Sequence, residues 1–474
     1  KLKRPVRWCD LFLSTKFPMR KNKTQILLKN LKVKNSMKKF FILYLILMSS
    51  VAWSQTMTFQ SLWAEIRKNS TALESSHYQT ESAKASQSKA ARHWLPRLYV
   101  DAKSFQTNDP GSSFFGLLQQ RSVLASDFNP DSINHPETKT YTRAALGIDL
   151  PLFEGGFKSA LSNVMDSALH AQKYSEQQNE VELYSQVANL FATIAITEKQ
   201  QNKFLNLKST IEKLLKNYQL GQRSNAVGYS GLLGMKSLLN RITGLMSQNQ
   251  AQINSYYKTI EQLGLSQKNW KPNFSDGLSF SEKYLTASPS GLSYKTLALK
   301  ENVLASENTV NMQQARFLPK VGAFAESSLF NSDRDTANAY MAGLYLQWNL
   351  FDPADFGSKN EFRLKSIATQ KYSESMEKQE IAEKNGLTES LNSYKENLKL
   401  INDSDKILEE QTKMSESLFR NGSINALQFV EILNRRADLI TQQNEIEVGL
   451  VQTASKFITL QAFNIETALN NKKD

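Results

Sequence analysis

The chain has 474 residues, of which 22% are charged and 40% are hydrophobic, so it is long enough for two or three domains and too apolar to be disordered throughout. One cysteine and four widely spaced histidines exclude a disulfide framework within the chain and make a zinc or histidine-rich metal site unexpected. The net charge of +13 is concentrated in residues 1–54, which hold 13 basic residues and one acidic residue, whereas the other 420 residues hold 45 basic and 44 acidic residues. A near-neutral body offers no broad cationic surface for phosphates, so we expect no nucleic-acid partner.

The beginning of the chain has the character of a targeting segment. Residues 37–54 consist of two lysines, a short apolar run and a final Ala-Trp-Ser, whose small residues suit a signal-peptidase site. The apolar run is too short to cross a bilayer core of about 30 Å. We interpret 37–54 as a secretory signal peptide, residues 1–36 as an upstream extension, and Gln55 as the first residue of an exported chain. The single cysteine, Cys9, lies in the extension, so no lipid anchor is expected after cleavage.

The rest of the sequence is built from two copies of one plan. Three pairs of short segments match in the same order, at separations of 223, 198 and 201 residues; they are Leu95-Pro96 with Leu318-Pro319, Leu152-Phe153 with Leu350-Phe351, and an aromatic-x-x-Gly turn ending at Gly221 with one ending at Gly422. The drop in separation places an insertion of about 25 residues in the first copy. We expect copy one to span 55–264, an equatorial linker 265–290, copy two 291–468 and a tail 469–474.

Each copy is predicted to contain a helix, two strands, a long helix, a turn and a second long helix. The helices over about 155–218 and 355–419 would each be about 95 Å long at 1.5 Å per residue. The returning helix of copy one follows a 3-4 spacing typical of a coiled-coil seam with one polar member, through Leu232, Met235, Leu239, Ile242, Met246, Asn249, Ile253, Tyr256, Ile260 and Leu263. Copy two repeats the spacing more loosely, through Leu439, Ile446, Leu450, Phe457 and Leu460.

The four predicted strands lie at about 97–105, 140–152, 319–330 and 339–350. They alternate between apolar and polar residues, which is typical of a transmembrane barrel strand and also of a sheet half-buried against a helix. The export signal and the helices that flank each hairpin favour the barrel. The lipid-facing positions are then Leu146, Ile148, Leu150, Leu344, Leu346 and Trp348. Four strands cannot close a membrane barrel, which needs at least about eight, so the barrel must be shared by two chains or by three.

At this point the sequence resembles the TolC-like outer membrane efflux protein family. The resemblance rests on the opening from Met57 to Leu62, the Leu-Pro entries to the strands, the Pro-Leu-Phe-Glu-Gly-Gly exit at 151–156 and the two aromatic-x-x-Gly turns. It implies a mixed fold of internally duplicated helical hairpins forming an α-barrel, with four strands per chain in a trimeric 12-stranded transmembrane β-barrel. It also implies a homotrimer in the outer membrane of a Gram-negative bacterium, with outer membrane lipid around the barrel and the helices in the periplasm.

The resemblance further implies an exit duct that works with a periplasmic adaptor protein and an inner-membrane pump of the RND or ABC type. The inserted segment 105–140 would be an extracellular loop, and the turns at Gly221 and Gly422 would dock the adaptor. A carboxylate selectivity ring at the periplasmic tip would fall on Gln428 and Glu431, of which only Glu431 carries a charge. The polar contacts that close the tip in the family would fall on three apolar residues, which cannot make them: Val227, Phe419 and Ile424.

Other functions remain to be compared with this one. The sequence carries no nucleophile elbow, phosphate-binding loop or metalloprotease motif, so we expect neither an enzyme nor a cofactor. A type I protein secretion duct would share the fold, and a periplasmic coiled-coil scaffold without a pore would explain the heptads but not the strands. Small molecules such as drugs and toxic compounds are the cargo expected from family frequency alone.

Overall fold

The structure is a computed structural model, and it describes residues 55–218, 226–286, 291–353 and 357–470. The predicted signal peptide and the upstream extension lie outside the described residues. Contacts divide the described chain into two units. The smaller unit consists of residues 55–56 and Lys268–Lys271, and the larger contains Met57–Gln267 and the chain from Pro272 onwards. Within the residues that the structure describes, no helix combines the length and the apolar character needed to cross a membrane.

The first copy begins with a three-residue strand and ends with two long helices. Its elements are β1 (Gln55–Met57), α1 (Phe59–Asn69), α2 (Thr71–Ala91), β2 (Arg97–Thr107), α3 (Pro110–Gln119), α4 (Pro130–Asn134), β3 (Lys139–Glu154), α5 (Phe157–Tyr218) and α6 (Ala226–Gln262). A short 3₁₀ turn at Ala125–Phe128 precedes α4. The segment expected as a loop after β2 is therefore largely helical.

The second copy repeats this order without the inserted helices. Its elements are β4 (Trp270–Pro272), α7 (Gly277–Tyr284), α8 (Tyr294–Gln314), β5 (Lys320–Asn331), β6 (Thr336–Gln347), α9 (Ser358–Arg420), α10 (Ala426–Thr459) and the final α11 (Ile465–Asn470). The correspondence is close, because α2 and α8 both have 21 residues and α5 and α9 have 62 and 63. The range 265–290, expected as a linker, contains β4 and α7, which are the counterparts of β1 and α1.

Side-chain caps begin equivalent helices in the two copies. The Ser70 hydroxyl accepts a hydrogen bond from the Leu73 amide at 3.4 Å, and the Ser293 hydroxyl accepts one from the Thr296 amide at 3.1 Å. Each serine satisfies an amide that the first turn of its helix would otherwise leave unpaired. Ser70 is both the residue that follows α1 and the cap at the start of α2.

An aromatic cluster joins the two copies at the beginning of each. The Phe59 ring lies 5.3 Å from both the Tyr184 and the Phe280 rings, and all three side chains are buried. Phe59 belongs to α1 and Phe280 to α7, so the first helices of the two copies are in contact through these rings. The Tyr184 hydroxyl donates to the Tyr284 carbonyl at 3.0 Å, and burial raises the pKa of Tyr184.

The returning helix α6 buries most of the predicted coiled-coil seam. Met235, Ile242 and Ile260 are fully buried, and the polar seam residue Asn249 donates to the Gln200 side chain at 2.8 Å. Gln200 lies on α5 and is also buried, so the bond pairs two polar side chains that are both away from water. The polar position is therefore accommodated by a specific pair across the seam.

The seam predicted for α10 is incomplete, and this prediction needs correction. Four of its five members are only half-buried, and Leu450 alone is fully buried. The positions buried along α10 form a different stripe, comprising Phe429, Val430, Leu433, Ala437, Ile440, Gln443, Glu447, Val451, Ala454 and Ile458. The helix packs against both α5 and α9, so it needs two contact stripes. The second stripe contains alanine, glutamine and glutamate, which an apolar pattern does not reveal.

Candidate functional site

The four long strands form one antiparallel sheet in the order β2-β3-β5-β6. The strands have 11, 16, 12 and 12 residues, which is long enough to cross a bilayer core when tilted. A register shift between Pro151 and Phe153 marks a bulge in β3. β2 and β6 are the two edges of the sheet, so each has one side without a partner strand in the described chain.

One face of the sheet is apolar and exposed. The register pairs Leu146 with Val100, Ile148 with Leu98, and Ala323 with both Leu150 and Leu344, so the predicted lipid-facing residues lie on this face. Leu146 is 60% exposed, Leu344 74% and Leu346 68%. An exposed apolar face of this kind marks an interface with lipid or with another protein surface.

Trp348, predicted to be a lipid-facing strand residue, lies one residue beyond the end of β6. β6 ends at Gln347, and the Trp348 indole N–H donates to the Phe317 carbonyl at 3.1 Å. Trp348 is exposed, and its indole N–H contacts the backbone of the segment that leads into β5. This arrangement is typical of an aromatic residue at a membrane interface.

Tyrosine and glycine pairs organise the opposite face. Tyr99 on β2 lies over Gly147 on β3, where an added Cβ would be 2.2 Å from the ring, and the Tyr99 hydroxyl donates to Glu326 at 3.1 Å. Tyr345 on β6 lies over Gly322 on β5, and its hydroxyl donates to Asp149 at 3.2 Å. Each tyrosine thus crosses one strand and reaches a carboxylate on the strand beyond it. The large and small residues exchange strands between the two copies.

An ion-pair network completes this polar face. Arg143 donates to Glu326 and contacts Asp101 at 3.3 Å, while its guanidinium lies 5.8 Å above the Phe330 ring. The Ser328 hydroxyl donates to Glu326 at 2.8 Å. The face therefore carries charged groups that are hydrogen-bonded to one another, which suits the wall of a wet interior and not a lipid contact.

All four helical connections leave the same end of the sheet. The register pairs Arg97, the first residue of β2, with Asp149 near the end of β3. It pairs Lys320, the first residue of β5, with Glu154 at the end of β3 and with Gln347 at the end of β6. The starts of β2 and β5 therefore lie beside the ends of β3 and β6. The opposite end carries the inserted segment with α3 and α4 and the short β5–β6 turn. If the sheet spans a membrane, every long helix projects from one side and the inserted segment from the other.

Helix α3 packs on the polar face of the sheet. A Cβ on Gly116 would lie 2.3 Å from the Tyr141 ring, and the Tyr141 hydroxyl donates to the Ser113 carbonyl at 3.3 Å. Tyr141 pairs with Phe105 in register and shares the face of Arg143. The sequence carried a signal for this helix that our prediction missed, since Asp109 caps it and Pro110 occupies its first turn.

The turn between α9 and α10 is closed by a glycine in the left-handed conformation. Gly422 has φ +80°, its amide donates to the Phe419 carbonyl at 3.2 Å, and the Ser423 amide donates to the Leu418 carbonyl at 2.8 Å. These two bonds form a Schellman motif, which satisfies the last carbonyls of α9. The equivalent Gly221, predicted as the other docking turn, lies outside the described residues.

The two residues predicted for a selectivity ring have local partners. Gln428 forms a capping box with Asn425, in which the two side chains accept from each other's amides at 3.0 and 2.9 Å. Glu431 is exposed and contacts Arg435 one turn later at 3.2 Å. The side-chain oxygen of Gln428 is therefore engaged in capping α10, whereas the carboxylate of Glu431 remains accessible to solvent.

An aromatic stack lies where the family places polar tip contacts. The Phe419 and Phe429 rings are 5.3 Å apart and nearly parallel, and Ile424 packs against the same apolar cluster. This cluster also contains Ile211 and Met235, so it joins all four long helices near the turn. The side chain of Val227 lies outside the described residues.

Helix α9 carries an exposed apolar stripe that our sequence reasoning missed. Leu400, Ile407 and Met414 follow each other at seven-residue spacing and are 65%, 68% and 69% exposed. The signal was present as a heptad repeat, but the abundant charges of this helix concealed it. Side chains at this spacing form a seam for another helix.

Comparison with known proteins identifies the fold. No model of a known protein family and no curated protein matches the sequence. Among solved structures, CusC, whose crystal structures concern transmembrane channel formation, matches with 11% identity, a TM-score of 0.71, and coverage of 87% of this chain and 95% of its own.

Two further structures agree with this comparison. The CmeC outer membrane channel of Campylobacter jejuni matches with 11% identity and a TM-score of 0.71 over 85% of both chains. The outer membrane protein VceC of Vibrio cholerae is 15% identical over 87% of this chain and 94% of its own, with a TM-score of 0.64. At such identities the likeness establishes the fold of the single chain, and at that level it confirms the resemblance to TolC-like outer membrane channels.

Proposed function

We propose that this chain forms the exit duct of a tripartite efflux system in the outer membrane of a Gram-negative bacterium, passing small molecules from an inner-membrane pump to the exterior. The observation that carries the proposal is the four-stranded sheet, with an exposed apolar face, a hydrogen-bonded polar face and two open edges. Lipid tolerates no unpaired strand edge, so the sheet must be closed by other copies of the chain. The polar face would then line the pore, and the duct needs no catalytic group or cofactor.

The strand directions specify how copies join. In an antiparallel sheet with an even number of strands, the two edge strands run in opposite directions, so β6 of one copy can pair antiparallel with β2 of the next. Pairing β2 with β2 across a two-fold axis would direct the long helices of the two copies to opposite sides of the membrane. A head-to-tail ring keeps all the helices on one side, as a duct requires.

The packing of α3 favours three copies over two. An eight-stranded barrel is only wide enough for side chains to fill, and it has no room for helices against its inner wall. A 12-stranded barrel has that room, and α3 lies on the polar face. The exposed stripe of Leu400, Ile407 and Met414 on α9 supplies a matching contact between copies in an α-barrel.

The turns at the far end of the long helices would dock a periplasmic adaptor, which in turn holds a pump of the RND or ABC type. Gly422 closes such a turn, and Gly221 occupies the equivalent place in sequence. Three copies of Glu431 would form an acidic ring there, weakened by its partner Arg435. Such a ring raises cation occupancy in a narrow pore.

The native mass of the detergent-extracted outer membrane fraction tests the proposal. A mass of three mature chains after correction for bound detergent supports the shared barrel. A protein recovered without detergent as a monomer or dimer would instead favour a periplasmic coiled-coil scaffold. Transport by the reconstituted system, with a small dye and with a secreted polypeptide as alternative cargo, then separates efflux from protein secretion.

A further inference from the structure

The inserted segment between β2 and β3 is tied firmly to its own sheet. Arg334, in the β5–β6 turn, donates two hydrogen bonds of 2.6 Å to the Asp127 carboxylate and one of 3.1 Å to the Ser122 carbonyl. The Asp335 amide donates to the Gln120 side chain at 3.4 Å. Together with the bond from Tyr141 to α3, these contacts hold both ends of α3 against the sheet.

Helix α3 has two distinct sides. Small or amide residues at the spacing of one helix face point toward the sheet, among them Ser113, Gly116 and Gln120, which are buried. The opposite side carries Phe115, 63% exposed, and Leu118, 44% exposed. Since the sheet-facing side lies on the polar face, these two apolar side chains point away from the wall and toward the space that the polar face encloses.

The dimensions of the proposed barrel bring these side chains together. Twelve strands spaced by about 4.8 Å and tilted by about 40° enclose a backbone radius of about 12 Å. A helix with its side chains is about 10 Å across, so one packed on the wall extends most of the way to the axis. Gly116 allows a close approach to the wall, which leaves room for three helices around the axis.

We infer that α3 of three copies meet at the outer end of the pore and form an apolar constriction of Phe115 and Leu118, and this inference rests on the trimeric duct proposed above. The partner of the exposed side of α3 is therefore the same helix in the neighbouring copies. Apolar constrictions gate pores by excluding water, so this one would limit the passive entry of hydrophilic solutes from outside. The second copy of the repeat has no counterpart of this helix, because β5 and β6 are joined by a short turn.

Single-cysteine variants test the contact between copies. The only native cysteine, Cys9, lies in the segment expected to be removed, and the unmodified chain controls for it. Leu118→Cys and Phe115→Cys should each give covalent dimers in membranes treated with a short thiol cross-linker. The matched control is Tyr340→Cys, which is 90% exposed, lies near the same end of the sheet and faces the other side, and it should stay monomeric.

Conductance tests the consequence. The double variant Phe115→Ser/Leu118→Ser should raise single-channel conductance in planar bilayers by at least about twofold, since it removes the apolar narrowing. If the protein has the mass of a trimer but neither cysteine variant in α3 gives covalent dimers, the constriction is refuted and the duct remains. The same holds if the double serine variant leaves the conductance unchanged. A failure to form trimers in the unmodified protein would instead refute the duct itself.

Discussion

Introducing a charge on each face of the sheet in turn tests whether the two faces differ in environment, as a membrane barrel requires. Leu146 is the eighth of 16 residues in β3, and Met341 is the sixth of 12 in β6, so both lie near the middle of their strands. They are 60% and 58% exposed in the single chain, but they lie on opposite faces. We expect Leu146→Arg to block assembly and Met341→Arg to be tolerated.

The magnitude follows from the position of Leu146 at mid-depth. Arginine facing lipid near the midplane costs about 2–4 kcal/mol per site, or about 6–12 kcal/mol for three copies. Per chain this corresponds to about 30- to 700-fold in the assembly equilibrium. At Met341 the same side chain would enter the wet interior, where its charge remains solvated and the cost is small.

The assay compares the two variants in the outer membrane fraction at matched expression. Folded trimer is measured by its heat-dependent migration on gels, and unassembled chain by its extraction with urea. We expect little trimer with Leu146→Arg and a near-normal amount with Met341→Arg. Equal assembly of both variants, or equal failure of both, would show that the two faces do not differ in environment and would refute the reasoning.

Three further predictions concern the inserted segment, the glycines of α9 and its turn, and the exposed apolar stripe on α9. The Arg334 guanidinium lowers the pKa of Asp127 to about 2. The attachment of the inserted segment to the sheet should therefore be fully stabilised above about pH 4 and lose this stabilisation as the pH falls toward 2. Arg334→Gln should accelerate amide exchange in α3 at neutral pH and abolish that pH dependence. Gly386→Ala, in the interior of α9, should stabilise the protein by about 1 kcal/mol, whereas Gly422→Ala should destabilise it by about 1 kcal/mol because of its positive φ, both measured as shifts in the unfolding midpoint. Ile407→Asn should weaken trimer association by at least about tenfold without loss of helical circular dichroism, since it removes an apolar contact between copies.

Local periodicity made much of the fold predictable from the sequence. The 3-4 spacing of α6 and the two-residue alternation of the strands are properties of neighbouring residues, and the duplication allowed each copy to support the other. The local role of Gln428 could not be predicted from the sequence, because a glutamine at this position is compatible both with capping a helix and with lining a pore. The capping box with Asn425 decides its local bonds.

Features that depend on register could not be read from the sequence. Tyr99 and Gly322 occupy equivalent positions in the two copies, so an alignment of the copies places a tyrosine against a glycine, two residues of very different size. Only the pairing of strands reveals that each belongs to a tyrosine–glycine pair with the order exchanged. The packing of α3 on the polar face was hidden for the same reason, since Gly116 and Tyr141 meet through tertiary contact alone.

The two open edges of the sheet have a genetic consequence. In the proposed ring every chain must offer an intact β2 to one neighbour and an intact β6 to the other, so a single faulty member breaks the circle. If half of the chains in a cell carried such a fault, only about one ring in eight would be free of it. An allele that damages one edge strand should therefore be dominant over the normal allele, whereas an allele that abolishes synthesis should be recessive.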